Sequence, residues 1–160
     1  MVEVQLFDEV ADVVRALVPG DLGSPRCRAR RYGIKVWFGD ANPPREHYEA
    51  QVVAADAVKG ARVLGLEVGF HAEHTELVRN EAVLARLLGA ERRWRPVVGD
   101  EAVAGPFLGR ADLWRRVSET WPDPDLDDPG LAFELGARLT DYITAFEPVL
   151  RGGAVRSRRR

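Results

Sequence analysis

Residues 32–38 read YGIKVWF, residues 45–53 REHYEAQVV and residues 63–71 VLGLEVGFH, and the alternation in these three stretches decides the fold. Ile34, Val36 and Phe38 alternate with Lys35 and Trp37; Tyr48, Ala50 and Val52 with His47, Glu49 and Gln51; Leu64, Leu66, Val68 and Phe70 with Glu67 and His71. Successive side chains of a strand point to opposite faces, so each stretch reads as a strand with one apolar and one polar face. GDANPP at residues 39–44 and the Lys59-Gly60 pair are turn signals between them. Three such segments joined by short turns make an antiparallel meander with one buried face. LWRRVSETW at residues 113–121 is a candidate fourth strand with Val117 toward the core.

Working outward, helical spacing takes over. Leu6, Val10, Val13, Val14 and Leu17 recur on one face, predicting a helix over 3–18 that Pro19-Gly20 stops. Residues 20–30, rich in Gly, Pro and Arg, read as a loop. Thr75 is placed as the N-cap of a second helix carrying Leu77, Leu84, Leu87 and Leu88, which ends at Gly89 or continues through ERRWRPVV at 91–98. Asp128 is placed as an N-cap with Pro129 at the first helical position, opening a helix striped by Leu135, Leu139, Tyr142, Ile143, Phe146 and Leu150. The expectation is one α+β domain over residues 1–151, an antiparallel β-meander of three to four strands packed on one face by about three amphipathic helices. A disordered basic tail over 152–160 is expected to follow.

The bulk numbers agree. A chain of 160 residues with 46% hydrophobic and 30% charged residues is an ordinary globular domain. At this length it needs neither metal nor disulfide to fold, and Cys27, the single cysteine, excludes an internal disulfide and a cysteine-based metal cluster. No stretch approaches a membrane span, and the N-terminus lacks the basic flank and apolar core of a secretory signal, so a cytoplasmic protein without a membrane partner is expected. Lys35 and Lys59 are the only lysines, and arginine supplies the remaining basic charge. With abundant Ala, Val and Gly, this points to the coding bias of a high-GC bacterium. The net charge of −2 conceals two basic clusters, Arg26, Arg28, Arg30 and Arg31, and Arg151, Arg156, Arg158, Arg159 and Arg160.

Tight hairpins set the pairing. The first places Trp37 opposite His47 and Lys35 opposite Glu49; the second places His47 opposite His71 and Gln51 opposite Glu67. Directly opposed Cβ atoms lie about 4.5–5.5 Å apart, so Lys35, Trp37, His47, Glu49, Glu67 and His71 form the candidate ligand-binding group on the open sheet face. No cofactor is expected. A divalent transition metal is the alternative, held by His47, His71, Glu73 and His74, with Glu49 or Glu67 completing the site or serving as base.

Other motifs are incomplete. His71-Ala72-Glu73-His74 begins like a zinc deaminase but has no Cys-x-x-Cys to follow. Asp123, Asp125, Asp127 and Glu134 match positions 1, 3, 5 and 12 of a calcium loop, yet Asp128 and Pro129 stand at positions 6 and 7, where glycine and a flexible carbonyl are needed. Arg26, Arg28, Arg30 and Arg31 are the nucleic-acid candidates, without any accompanying nucleic-acid fold signature. Ser118 has no nucleophile elbow around it. Cys27 between two arginines is a candidate for a lowered pKa. The sequence therefore favours a non-catalytic binding or interaction module for an unknown protein or small-molecule partner. A metal-dependent hydrolase with its His/Glu site on the sheet face is the first alternative, and nucleic-acid binding through the arginines the second.

Overall fold

The computed structural model describes the backbone of residues 5–156 and the side chains of 5–152. Its order is α1 (Leu6–Leu17), β1 (Arg26–Arg30), β2 (Gly33–Trp37), β3 (Glu46–Ala54), β4 (Leu64–Ala72), α2 (Leu77–Gly89), α3 (Glu91–Val98), β5 (Val103–Pro106), β6 (Arg115–Pro122) and α4 (Leu131–Arg156). The six strands form one sheet in the order β1-β2-β3-β4-β6-β5, antiparallel throughout.

The class is α+β, with six strands where the alternation gives three to four, and four helices where it gives about three. The two additional strands are the sheet's edges. β1 lies in the segment read as a loop: RCRAR alternates arginine with Cys27 and Ala29, so its inward side is small and carries no strong hydrophobic signal. β5 is only VAGP, too short and too rich in Gly and Pro to register. The additional helix arises because α2 ends at Gly89 and α3 starts afresh at Glu91. Thr75 does not cap α2, whose N-cap is Glu76 without a side-chain bond. Nor is Pro129 the first helical residue: Asp128 Oδ1 accepts from Gly130 N–H in a local turn and α4 begins at Leu131. The α4 backbone runs to Arg156; residues 157–160, the end of the anticipated tail, lie outside the described residues, as do 1–4.

All four helices share one core. Phe7, Val10 and Val14 of α1, Val83 and Leu87 of α2, Trp94 and Val98 of α3, and Leu135, Leu139, Tyr142, Ile143 and Phe146 of α4 pack on Ile34, Val36, Tyr48, Ala50, Leu66, Val68, Phe70 and Val117 of the sheet. Each large side chain so buried contributes roughly 1.5–3 kcal/mol. The α1–α4 crossing is close at Gly136, where a Cβ would come within 2.5 Å of Val13. No helix among the described residues is long and apolar enough to cross a membrane.

Because every helix lies on the apolar side, the polar side chains of β2, β3, β4 and β6 gather on the other. Three rows cross the sheet there: His47 faces His71, which faces Arg116; Glu49 faces Gly69, which faces Ser118; Gln51 faces Glu67, which faces Thr120. Lys35 stands opposite Glu49, and Arg28 opposite Lys35.

Candidate metal centre

The centre of this polar face is buried. His47, His71, Glu67 and Ser118 are fully buried, and Glu49 and Glu73 nearly so. The face expected to be open is closed here by the β5–β6 connection: Phe107 sets its ring edge-on to His71 at 4.6 Å, and Trp114 backs Phe107 at 5.5 Å. Asn80 holds the connection down, donating to the carbonyls of His74 and Leu113 and accepting from His74 N–H. Buried polar groups are costly unless bonded, so each partner in this cluster is informative.

His47 Nδ1 lies 3.2 Å from the Pro44 carbonyl, which can only accept, so Nδ1 carries the proton. In the neutral ring Nε2 is then a lone pair, and it lies 2.9 Å from Glu49 Oε1 and 3.5 Å from Glu73 Oε2. His71 repeats the arrangement from the opposite strand. Its Nε2 faces Glu67 Oε2 at 2.9 Å, and its Nδ1 faces Glu49 Oε1 at 3.0 Å and Glu73 Oε2 at 3.3 Å. Glu67 is an acceptor on both oxygens: Gln51 donates to Oε1 at 2.7 Å and Ser118 to Oε2 at 2.6 Å, while Arg116 donates to Ser118 Oγ at 2.8 Å. Burial works to raise the Glu67 carboxyl, but the charge and hydrogen bond of His71, with Ser118 and Gln51, bring it down to about 2.

Two ring nitrogens thus converge on two carboxylates, and His47, Glu49, His71 and Glu73 each offer one ligand atom within 4.8 Å of the other three. Lone pair against carboxylate is repulsive unless something positive lies between, either protons or a cation. With protons as the filling, the pKa values move accordingly. His71 is disfavoured as an imidazolium by burial, yet the charge of Glu67 and hydrogen bonds to Glu49, Glu67 and Glu73 hold it well above the ordinary histidine value. Burial raises Glu49 less than the hydrogen bonds and charges of His47 and His71 lower it, leaving it well below the usual carboxylate range. A divalent cation is the alternative filling. The four His–Glu separations of 2.9–3.5 Å bracket the edge of about 3.3 Å of a tetrahedron with zinc-like bond lengths. The backing is also that of a metal site, with each histidine orienting its second nitrogen on a carbonyl or carboxylate.

Of the other sequence candidates, Lys35 stands at the rim, with Nζ 3.8 Å from Glu73 Oε1. Trp37 is buried beside the cluster, its indole N–H without a partner among the described residues. His74 is turned away onto Glu46 at 2.7 Å and lies outside the four. Arg26 pairs with Asp40 at 3.0 Å, whereas Arg28 lies along the Trp37 ring at 5.2 Å. Arg28, Arg30, Arg31 and Lys35 border a cavity of about 350 Å³ that reaches Glu49 and Gln51. The calcium-loop acids are occupied by backbone: Asp123 accepts from the N–H groups of Arg62, Val63 and Leu64, and Asp125 from Asp127 N–H. Burial raises the Cys27 thiol more than Arg15 lowers it, so the arginine-activated thiol is not realised; Cys27 points to the helix side of β1, away from its neighbours.

The residues missed were Gln51, Ser118, Arg116, Phe107 and Asn80. Placing Val117 inward already sends Arg116 and Ser118 to the polar side, but their arrival beside Glu67 depends on β6 pairing with β4, across two intervening helices and a strand. No family model, curated protein or solved structure matches this chain, so the geometry of the site itself carries its reading.

Proposed function

We propose that the protein is a binding module built around a divalent transition-metal site, with His47, Glu49, His71 and Glu73 as ligands and Glu67 as the carboxylate behind His71. The single observation that carries this reading is the convergence of His47 Nε2 and His71 Nδ1 on Glu49 and Glu73. Mixed imidazole and carboxylate ligands suit zinc, manganese or iron(II) better than calcium, which prefers six or more oxygens. Four protein ligands saturate a tetrahedral ion, whereas a hydrolytic zinc keeps one position for water. Holding the ion therefore ranks above turnover. Metal-dependent hydrolysis is the second reading, favoured by the cavity that reaches Glu49; it requires one carboxylate to leave the ion. Nucleic-acid binding ranks third, since Arg26 is paired with Asp40.

The reading is tested by melting the EDTA-stripped protein with zinc, manganese, nickel, magnesium or calcium. An ion at about 100 times its Kd stabilises the fold by roughly 2.7 kcal/mol, or about 5–10 °C for a chain of this size. The expected result is a transition-metal shift that disappears in His47→Ala and His71→Ala. No shift with any ion, or an equal shift in both variants, refutes the site.

A further inference from the structure

The cavity beside the metal centre has a chemistry of its own. Its wall is built by β1 and the β1–β2 turn. Alternation along β1 puts Arg28 and Arg30 on the polar side of the sheet, and Gly33, opposite Arg30, contributes no side chain, which leaves room between Arg30 and Gln51. Lys35 and Glu49 lie along the next row. Arg31 and Tyr32 form the mouth, with the Arg31 guanidinium 5.3 Å over a ring that is 60% exposed.

Four cationic side chains, Arg28, Arg30, Arg31 and Lys35, thus line the cavity together with one carboxylate, Glu49. Among the described residues, none of Arg28, Arg30 and Arg31 has a carboxylate within 4.0 Å, although Arg26, Arg79, Arg95, Arg110 and Arg115 each do. Arg28 is held in place by Trp37 beneath it and by a bond to Asn42 Oδ1 at 3.1 Å, which occupies one nitrogen and leaves the others to donate. In a chain of net charge −2, four cationic side chains line this one open depression of about 350 Å³. A monocarboxylate needs one arginine; several cations along one cavity suit a group of higher charge, and the planar forks of arginine match phosphate oxygens.

We propose that this cavity binds a small phosphate ester, with Arg28, Arg30 and Lys35 on the phosphoryl oxygens and Tyr32 against the organic group. The assignment goes beyond the metal reading: the cavity meets the four metal ligands at Glu49 and through Lys35, 3.8 Å from Glu73 Oε1, while Arg28, Arg30 and Arg31 touch none of them among the described ion pairs. An ion at His47, Glu49, His71 and Glu73 would neutralise Glu49 and strengthen anion binding.

The test is calorimetric titration of EDTA-stripped protein with pyrophosphate and with AMP at low salt, in the parent, Arg30→Gln, Arg28→Gln and Arg110→Gln. Arg30 is exposed on an edge strand, so its variant keeps the fold. Expected are saturable one-to-one binding that weakens as salt rises, a loss of about tenfold or more in Arg30→Gln and Arg28→Gln, and no change in Arg110→Gln. Inorganic phosphate titrated alongside is expected to bind more weakly than AMP, whose organic group Tyr32 contacts. Absence of saturable binding of either probe overturns the proposal, as does equal loss in all three variants. So does tight binding of a single-stranded oligonucleotide with none of AMP, which would assign the arginines to nucleic acid. The zinc shift measured in Arg30→Gln keeps the two readings apart: its retention with loss of the anion separates the cavity from the metal, and a protein that binds AMP without any metal shift retains this proposal and loses the other.

Discussion

At the scale of single residues, the candidate site is set by which atom of each side chain is already committed. The Pro44 carbonyl accepts from His47 Nδ1 and Glu67 faces His71 Nε2, so His47 Nε2 and His71 Nδ1 both aim at Glu49. Gly69 is as necessary as any ligand. It sits between Glu49 and Ser118, where a Cβ would fall 2.4 Å from the Val117 carbonyl and 2.6 Å from Ser118 Cβ. A glycine inside a strand marks such a close approach. Gly69→Ala should cost about 1–3 kcal/mol in urea unfolding, the range for overpacking, and should weaken metal uptake because β6 must shift and carry Ser118 off Glu67. Unchanged stability would mean that the strands have slack not evident in their pairing.

At the scale of elements, the meander was legible from its period-two patterning. The pairings of Lys35 with Glu49, His47 with His71 and Gln51 with Glu67 hold although the connections, residues 38–45 and 55–63, are longer than the tight hairpins expected. β1 and β5 were illegible because edge strands need only a weak inward face, and the β4–β6 pairing because it is non-local. Glu73 was legible as a candidate from its neighbours His71 and His74, but only the fold separates the two histidines: His71 is inside the strand and His74 is past its end, on Glu46. Two side chains pin elements together and can be checked. Asn80→Ala strands a backbone N–H and two carbonyls between α2 and the β5–β6 connection, and should lower stability by about 1–3 kcal/mol with loosening of that connection in hydrogen exchange. Asp123 joins the end of β6 to the start of β4 through three N–H groups, with the bonds from Val63 and Arg62 contributing most to a carboxyl held below its ordinary value. Its folded pKa is depressed, so its contribution is present above the unfolded value of about 3.9 and fades as pH falls through the folded one. Asp123→Asn should therefore be less stable than the parent at pH 7, with the gap narrowing below about pH 4 in denaturant titrations. A gap that persists undiminished in acid would mean that the carboxylate charge is not its source.

At the scale of the whole molecule, the fold separates two tasks by face. The helices and the apolar side of the sheet make the core, and the polar side concentrates three buried carboxylates, two histidines and, toward β1, an arginine wall. Such a buried polar cluster does not stabilise a fold by itself, since desolvation offsets much of the pairing energy. An ion in its centre reverses that balance and makes stability dependent on metal concentration. The most direct measurement of this claim is the visible spectrum of the EDTA-stripped protein titrated with cobalt(II), which absorbs strongly in a tetrahedral site and weakly in an octahedral aqueous one. The account predicts intense visible bands saturating at one cobalt per chain, displaced by zinc, and lost in Glu73→Gln and His71→Ala. A spectrum no stronger than that of cobalt in buffer, or intense bands that survive both substitutions, would contradict it.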